Sequence, residues 1–530
     1  MKFITGQPRQ QTHLFPVSLE ESLDANNEVR VIDLFVDSLS LKDYGFDMDY
    51  IENGRPAYHP ADLLKLYIYG YLNKLRSSRD LEKECKRNIE VMWLLKCLQP
   101  DHNTISNFRR DNPAGIKKVF RATVQVAKHF ELIGGKLIAG DSTKLRAQNS
   151  KKNNYNESKI ERHLAYIENK LQEYNTALAE HDGDNQKQIQ QEIEKHEQRK
   201  QQYKEIEKQI KETGEAQVST SDTESRQMII RSNITEVAYN VQTTVDSKHN
   251  LPIDYKVTNN NDSKAMGNML QRAKSILRTN EFTALYDKGF HTGSELKTAY
   301  DLGITAIVAI PEVASNSPDI RFNMANFQYN KEEDTYTCPE HHTLSTNGTW
   351  YGKCSGKHRT KTWVKHYKTN ACKCCPVFNL CTSNTRGKGR VIERSQHAQY
   401  IEQNRINTEK NKHLYKQRQA IVEHPYGTIK RQWGFGFILT KQGKERASAD
   451  VGFMFIAYNL RRIINILGID GFRNYLKTLG FSFLYLIALV KAKINHFKRF
   501  IYFKNYLVKY FYRGLNRLIF DKLLMFNEGF

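Results

Sequence analysis

The chain has 530 residues, too many for one ordinary hydrophobic core, so we expect two to four domains. Lysine and arginine number 80 against 58 acidic residues, and the net charge of +22 favours a polyanionic partner, nucleic acid before an anionic membrane surface. The longest apolar run, FSFLYLIALV at 481–490, is far shorter than the ~20 residues of a membrane-spanning helix. The N-terminus lacks the apolar core of a signal peptide, so we expect a cytoplasmic protein.

Residues 1–130 predict an all-α domain. Apolar residues recur at spacings of three and four from residue 26 to about Phe120, and HPADLLKLYIYGYLNKLRSSRDLEKECKRN predicts two successive helices. HNTISNFRRDN, at 102–112, predicts a short basic helix that carries Arg109 and Arg110. A helix, a tight turn and a short basic helix suit a reader of the DNA major groove. An ordinary helical bundle with a solvated basic face explains the pattern equally well.

Residues 131–150 and 216–310 predict one mixed sheet flanked by helices. GKLIAGDSTKLRAQNS begins with a β-type run that we expect to end at Asp141, and EVAYNVQTTVDS with LPIDYKVT predicts a hairpin. FTALYDKGFHTGSELKTAYDLGITAIVAI, at 282–310, predicts strand, loop, helix and strand, with Asp287 at the first strand end. Strand ends in α/β sheets hold side chains on a rigid support, so Asp141 and Asp287 are candidate catalytic residues. Each alone could also be a turn-former.

Two segments interrupt this pattern. Residues 151–215 predict an antiparallel coiled-coil hairpin, because apolar residues alternate at spacings of four and three from Ile160 to Leu178 and recur on the far side of HDGD. Residues 311–400 lose all periodicity and contain six of the eight cysteines.

The cysteine-rich segment is a candidate zinc site. The two-residue gap between Cys372 and Cys375 lets both thiolates reach one tetrahedral Zn²⁺. Cys338 and Cys381 complete the predicted ligand set. The alternative ligands are Cys354, Cys374, His341 and His342, and reduced cysteines without metal explain the segment as well.

Three stretches together resemble the carboxylate motifs of the DDE transposases of bacterial insertion sequences: GDSTKLRAQNSKK, ALYDKGF and VEHPYGTIKRQWGF. The resemblance extends from about residue 20 to 465 and includes STSDTESRQM at 219–228 and YNLRRIINILG at 458–468. It implies a ribonuclease H-like catalytic core, completed by residues 401–468, in which Asp141, Asp287 and Glu423 hold two Mg²⁺ or Mn²⁺ ions. Two such ions stabilise both the attacking and the leaving oxygen of a phosphodiester.

Many of these transposases also carry a Tyr-Arg-Glu-Lys signature, which Tyr415, Arg418, Glu423 and Lys430 resemble. The resemblance implies that Lys430 takes part in catalysis by clamping a phosphate. We expect DNA contacts from Tyr415, Arg418, Lys430 and Arg431 as well as from Arg109 and Arg110. Arg418 and Glu423 are five positions apart where the signature has four, and Pro425 predicts a kink or a new helix start.

The sequence therefore predicts a multidomain α+β protein that binds double-stranded DNA. By resemblance, it is a transposase, working as a homodimer, that binds the terminal inverted repeats of its element and catalyses metal-dependent strand cleavage and transfer. The alternatives are an inactive or domesticated DNA-binding derivative and a ribonuclease H-like nuclease or resolvase. The basic, aromatic, helical region 469–530 should add sequence-independent affinity for DNA.

Overall fold

The computed structural model describes residues 18–48, 57–180, 184–231, 234–311, 317–355, 360–384, 389–440 and 442–478. The expected C-terminal helical region lies outside the described residues from 479 onward. The α-helices are α1 (Glu28–Asp37), α2 (Pro60–Leu72), α3 (Ser78–Arg87), α4 (Ile89–Leu94), α5 (His102–Asp111), α6 (Pro113–His129), α7 (Glu157–Glu180), α8 (Asp184–Thr213), α9 (Met266–Leu277), α10 (Gly293–Asp301), α11 (Phe378–Cys381), α12 (Ala398–Lys410), α13 (Lys412–Tyr415) and α14 (Gln417–Tyr426), and residues 444–478 are also helical.

The strands are β1 (Leu137–Arg146), β2 (Asn154–Tyr155), β3 (Val218–Ser219), β4 (Arg226–Arg231), β5 (Ile234–Asp246), β6 (Leu251–Thr258), β7 (Thr283–Tyr286), β8 (Thr305–Val308), β9 (Gln328–Asn330), β10 (Thr335–Thr337), β11 (Thr343–Leu344), β12 (Tyr351–Ser355), β13 (Thr360–Tyr367) and β14 (Ile392–Ser395). Short 3-10 turns lie at Lys151–Asn153, Asp262–Lys264, Lys288–Phe290, Ile320–Phe322, Met324–Asn326 and Asn370–Cys374, and a π-helical segment spans Gly427–Gln432.

The chain divides into two compact units. The smaller unit comprises the described residues up to 70, residues 78–105 and the described residues from 463, and all of its regular elements are helical. Its core contains Phe35, Leu64 and Leu94, which are almost fully buried. The Asn27 side chain caps α1 by accepting a hydrogen bond from the Val29 N–H and donates another to Glu90 at 2.7 Å. The expected all-α character of the N-terminal segment is present here.

The larger unit comprises residues 71–77 and 106–462 and is built on a six-stranded mixed sheet. Strand β1 pairs antiparallel with β5 and parallel with β7, and β8 continues the sheet parallel to β7. The 13-residue β5 pairs along its other edge with β4 near its start and with β6 near its end, both antiparallel. The mixed α+β organisation expected from the sequence is confirmed.

Strand β1 is longer than expected. Residues Asp141 to Arg146 continue the ladder with β5, so Asp141 lies in mid-strand and the prediction that the strand ends there is wrong. The reason is non-local, because β5 is long enough to pair with all of β1 and offers Ala238 to Thr243 as partners for this second half.

Helices α7 and α8 form a two-helix arm after β1. The pairing is antiparallel, since His163 stacks on Tyr203, Glu168 meets Lys200 at 3.2 Å and Tyr174 contacts His196. Of the predicted stripe, Ile160 and Ile167 are buried. A two-stranded ladder of β2 and β3 closes the base of the arm.

The segment before α12 has a small core of its own. Two three-stranded antiparallel sheets, β9–β11 and β12–β14, contribute the buried residues Tyr336, Tyr367 and Ile392 to one apolar cluster. The part of the chain that the structure describes has no helix both long and apolar enough to cross a membrane.

Candidate active site

Asp141 and Asp287 project from neighbouring parallel strands onto one face of the sheet. Ala139 and Leu285 are paired in register between β1 and β7, and both lie in one apolar cluster with Val422 of α14. Because alternate residues of a strand share a face, Asp141 and Asp287, each two positions further on, lie on the side that α14 covers. That Asp141, Asp287 and Glu423 hold metal ions together stays a prediction.

The Asp141 carboxylate is largely buried and faces a cation. Its Oδ2 lies 3.4 Å from Nη1 of Arg418, and its Oδ1 accepts a hydrogen bond from the Ser142 N–H at 2.8 Å. Burial raises the pKa of Asp141 to about 6, although Arg418 and the Ser142 N–H lower it by more than the negative charges of Asp287 and Asp262 raise it. Asp141 therefore sits where a divalent cation would relieve a concentration of negative charge.

Asp262 is a further carboxylate near the first two that the sequence motifs did not predict. Its partners Asn240 and Gln242 lie on the face of the sheet opposite to Asp141, because they pair with Lys144 and Ser142. The Oδ1 of Asp262 accepts hydrogen bonds from the side-chain amides of Asn240 and Gln242, and Lys144 lies 3.1 Å from its Oδ2. Burial opposes its charge, but Lys144 and these hydrogen bonds outweigh burial and hold the pKa of Asp262 below its usual value. The Asp262 carboxylate is thus a fixed negative charge. A sequence signal existed, because Asp262 follows β6 within a polar NNND run.

Glu423 lies on α14, the helix that covers Asp141. Helix α14 contacts β1 through Tyr426, whose hydroxyl hydrogen-bonds with that of Thr243 and lies 3.3 Å from the Asp141 carbonyl oxygen. Glu423 is exposed, and its Oε1 accepts a hydrogen bond from the Gln419 amide at 2.8 Å. The signature spacing of four from Arg418 falls on Val422, which is buried in the core cluster, so Glu423 is turned ~100° away around the helix.

Two other residues of the resembled signature lie at the site itself. Arg418 forms the ion pair with Asp141, and the negative charges of Asp287 and Asp141 both act on the hydroxyl of Tyr415, which packs against the core cluster. Lys430 donates a hydrogen bond to the Thr143 hydroxyl of β1 at 2.9 Å. Arg431 is exposed one residue further on. Arg418 is therefore part of the acidic site rather than only a surface cation.

Helix α14 changes character directly after Glu423. Pro425 lies inside the helix, and the backbone continues as the π-helical segment Gly427–Gln432 instead of starting a new helix. A π-helical turn has hydrogen bonds between residues five apart instead of four, and such turns are common at functional sites. The adjoining His424 is fixed by a 2.7 Å hydrogen bond between its Nδ1 and the Tyr458 hydroxyl.

The glycine before Asp141 is required by close packing. A Cβ on Gly140 would lie 2.0 Å from a ring carbon of the buried Tyr286, the residue before Asp287. The ring can pack over β1 only because position 140 has no side chain, and this contact fixes the two strands next to both aspartates.

The described residues contain no group of three or more acidic, histidine or cysteine side chains arranged to hold a metal ion. The donor chemistry of the acidic site nevertheless suits Mg²⁺, which prefers carboxylate and water oxygens, since Asp141 and Asp287 supply such oxygens on one face.

The four predicted zinc ligands, Cys338, Cys372, Cys375 and Cys381, surround a cavity of about 20 Å³. The Cys338 sulfur accepts a hydrogen bond from the His342 N–H at 3.3 Å. Burial raises the pKa of Cys381, and the charges of the other three thiols act on it in the same direction. His342 also lines the cavity, whereas Cys354 and Cys374 are exposed and do not.

Arg109 does not occupy the position expected of a base-reading residue. It is 5% exposed, and its guanidinium donates hydrogen bonds to the Tyr71 hydroxyl at 2.9 Å and lies 3.6 Å from Asp450. The prediction that Arg109 reads base edges therefore does not fit this fold, because the residue neutralises a buried carboxylate. Arg110 is exposed and pairs with Asp111 at 2.6 Å.

Two family models match the chain. The one described as "Transposase domain (DUF772)" matches residues 17–111, and the one described as "Transposase DDE domain" matches residues 337–464. The two matches support a DDE transposase of an insertion sequence. The family inferred from the three carboxylate motifs is thus confirmed. The second match contains Glu423, Lys430 and the four cysteines of the cavity, and it begins after Asp141 and Asp287.

Among solved structures, the chain is similar to a piggyBac transposase in a synaptic complex with hairpin DNA. The two are 9% identical with a TM-score of 0.30, and the match covers 87% of this chain and 80% of that chain. None of the curated proteins matches this chain.

Proposed function

We propose that the protein is a DNA transposase that binds the terminal inverted repeats of its insertion sequence and cuts and rejoins DNA strands. The observation that supports this most directly is the placement of Asp141 and Asp287 on the face of the sheet that α14 covers. The sheet order, with antiparallel β6, β5 and β1 followed by parallel β7 and β8, also suits the ribonuclease H-like core implied by the motif resemblance.

In this proposal Asp141, Asp287 and Glu423 hold two Mg²⁺ or Mn²⁺ ions. When bound, such ions neutralise the charge that develops on the attacking and leaving oxygens of a phosphodiester. Arg418 lies beside Asp141 and Lys430 beside Thr143 of β1, and both bind phosphate oxygens of the substrate. Water attacks one phosphodiester and frees a 3′-hydroxyl, which then attacks a phosphodiester of target DNA.

DNA duplexes that carry the ends of the element, incubated with purified protein and Mg²⁺, test this function on a denaturing gel. We expect nicked and joined products with the wild type. Asp141→Asn, Asp287→Asn and Glu423→Gln should each abolish cleavage but keep DNA binding, since none removes a cation. Glu409→Gln, on an exposed glutamate of α12, is the control and should cleave normally.

The same gel separates the alternatives. Protein that binds the element's ends in a separate binding assay but yields no product on the gel is an inactive DNA-binding derivative. Nicks without joined products indicate a ribonuclease H-like nuclease or resolvase. Normal cleavage by Asp287→Asn would refute the proposed carboxylate site.

We also propose that the protein acts as a homodimer on DNA in the cytoplasm. Arg110, Tyr415, Arg418, Lys430 and Arg431 are the candidate DNA contacts that remain once Arg109 is assigned to the interior.

The cysteine segment, we propose, binds one structural Zn²⁺ through Cys338, Cys372, Cys375 and Cys381. The support is that these four thiols face one small cavity, and thiolates are the preferred ligands of structural zinc. Elemental analysis should find about one zinc per chain, and a Cys372→Ser, Cys375→Ser variant should lose both the zinc and several degrees of melting temperature.

The exposed pair offers the matched control for zinc. A Cys354→Ser, Cys374→Ser variant should keep both metal and stability. Metal-free wild type whose melting temperature is unchanged by a chelator would show that the cysteines are reduced and unliganded.

A further inference from the structure

A buried polar network lies on the face of the six-stranded sheet opposite to α14. Asn240 and Gln242 of β5 are buried there, and both donate hydrogen bonds from their side-chain amides to Oδ1 of Asp262, at 2.7 and 2.6 Å. Lys144 of β1 lies 3.1 Å from Oδ2 of the same carboxylate. Buried amides are costly unless they are hydrogen-bonded, and here they converge on one residue. The network therefore fixes Asp262, and with it the 3-10 turn Asp262–Lys264, to the sheet.

The turn that Asp262 begins packs against the turn that follows Asp287. The 3-10 turns Asp262–Lys264 and Lys288–Phe290 contact each other. Gly289 lies between the two aspartates, since a Cβ on Gly289 would be 3.1 Å from Oδ1 of Asp287 and 3.9 Å from Cβ of Asp262. A shift of the first turn would therefore change the space in which Gly289 lies beside Asp287.

The Lys288–Phe290 turn connects the two faces of the sheet at the end of β7. Asp287 lies on the side of α14, whereas the preceding Tyr286 points to the opposite face. The buried Phe290 packs against Tyr286 on that opposite face, with ring centroids 4.9 Å apart. The N–H of Gly289, within the turn, donates a hydrogen bond to Oδ1 of Asp287 at 2.9 Å. The direction of the Asp287 carboxylate thus depends on a turn that is supported from behind the sheet.

We propose that Asp262 is a positioning residue that sets the orientation of the Asp287 carboxylate for a divalent cation. The inference rests on the proposed function, which assigns Asp287 to the metal site. Asp262 does not itself serve as a ligand, because both of its oxygens already accept hydrogen bonds from the buried network. Removal of a group that orients a metal-binding side chain typically weakens metal binding by about 10–100-fold.

Two substitutions separate positioning from simple charge. Asp262→Asn removes a negative charge and places an amide against the donors of Asn240 and Gln242. Lys144→Met removes a positive charge, keeps a long side chain and deprives Asp262 of its cation. If charge alone mattered, the first substitution would weaken cation binding and the second would strengthen it. If Asp262 positions Asp287, both substitutions should weaken it.

The test measures Mn²⁺ binding to the full chain without DNA, from the electron paramagnetic resonance signal of free Mn²⁺. The binding that Asp287→Asn removes defines the site. We expect the Mn²⁺ affinity of this site to fall about tenfold in Asp262→Asn and severalfold in Lys144→Met. Asp254→Asn is the control, because it removes a buried carboxylate of β6 that accepts a hydrogen bond from Arg272 at 2.7 Å, and it should keep the wild-type affinity.

Melting temperatures recorded without metal show whether each variant is folded. If Asp262→Asn does not fold, Lys144→Met decides, since the Lys144 side chain is partly exposed. Tighter Mn²⁺ binding by Lys144→Met, or an equal loss of affinity in Asp254→Asn, would overturn the proposal. Wild-type protein that binds no Mn²⁺ at this site would refute the proposed metal site and the positioning role together. Normal binding by the wild type and by both substituted proteins would refute the positioning role alone.

Discussion

Asp141 shows at the scale of one residue how the site is prepared for a cation. With a pKa near 6, the carboxylate is ionised at neutral pH although its surroundings favour the neutral form. The unfolded chain ionises it near its ordinary pKa of 3.8. The folded state therefore loses stability as pH rises through this interval, and above pH 6 the loss is complete at ~3 kcal/mol.

We accordingly expect Asp141→Asn to stabilise the metal-free protein. In EDTA at about pH 7.5 its free energy of unfolding should exceed that of the wild type by up to ~3 kcal/mol, and the difference should shrink below about pH 4, where both side chains are neutral. Urea denaturation at both pH values measures this, with Glu409→Gln as the control for removal of an exposed carboxylate. A variant less stable than the wild type at neutral pH would contradict the burial of an ionised Asp141.

Gly140→Ala should destabilise the fold beside the site. The added methyl group must displace the Tyr286 ring, which is packed on all sides, and overpacking of this kind costs ~1–3 kcal/mol. Gly427→Ala is the control, because nothing lies within 4 Å of a Cβ there and alanine favours a helical backbone. Chemical denaturation should rank the control at or above the wild type and Gly140→Ala well below it.

Single residues also show how far the sequence predicts the site. Asp141 and Asp287 could be found because each belongs to a local strand pattern. Asp262 could not be assigned a place near Asp141, since the link runs through the pairing of β5 with β1 and β6. The orientation of Glu423 depends on the rotational phase of α14, which is set by the burial of Val422 against residues from β1 and β7.

At the scale of elements, the arm of α7 and α8 is an insertion whose two ends are held together by the pairing of β2 with β3. Residues 154–155 pair with 218–219, and the Thr220 N–H donates to the Asn153 carbonyl at 2.9 Å, so the chain enters and leaves the arm at one place. Replacing residues 157–213 by a short Gly-Ser linker should therefore keep the melting temperature of the core within a few degrees. Loss of cooperative unfolding in a thermal scan would show that the arm is part of the core.

Tyr458 anchors α14 from the helical residues 444–462. Its hydroxyl donates to the Asn250 carbonyl at 2.9 Å, so His424 must be the donor in the other hydrogen bond. Burial lowers the pKa of His424, which fits a neutral imidazole with its proton on Nδ1. This contact holds the residue directly after Glu423.

Tyr458→Phe should thus cost ~1 kcal/mol of stability, because two partly buried hydrogen bonds are lost. It should also slow strand cleavage more than it weakens DNA binding, since the orientation of α14 changes and no cation is lost. Tyr400→Phe, on α12, is the control in the cleavage assay and in a DNA-binding assay by fluorescence anisotropy. If Tyr458→Phe cleaves DNA as fast as Tyr400→Phe, the anchoring role assigned to Tyr458 is wrong.

Regular elements were the most predictable part of the structure. Periodicities of two and of three to four are local, and they located the β5–β6 hairpin, α9 and the β7–α10–β8 unit within a few residues. The full length of β1 and the two small sheets between β8 and α12 depend on partners distant in sequence. No local pattern contains that information.

For the whole molecule, Asp450 joins segments from distant parts of the larger unit. It is completely buried, accepts a hydrogen bond from the Tyr71 hydroxyl and one from the Leu439 N–H at 2.6 Å, and lies 3.6 Å from both Arg76 and Arg109. The pattern HNTISNFRRDN could not reveal this, because the partner of Arg109 follows 341 positions later.

Arg109→Ala should therefore reduce stability rather than sequence preference. A buried charge that loses a partner costs ~3 kcal/mol or more, although Arg76 remains to offset part of it. Arg110→Ala, at the exposed neighbour, should leave the free energy of unfolding almost unchanged. Urea denaturation of both variants, with binding to repeat and random duplexes, measures the two effects. Normal stability with lost repeat preference in Arg109→Ala would restore its role as a base reader.

The buried cluster around Asp450 also limits which N-terminal segments can be exchanged between related proteins. The first family match ends at residue 111, between Arg109 and the rest of the unit to which that arginine belongs. A chimaera joined at this boundary would combine Asp450 from one parent with Tyr71, Arg76 and Arg109 from another, and any mismatch would leave a charge stranded in the interior. Exchange of the N-terminal segment between related chains should therefore be tolerated where both parents carry the same four residues.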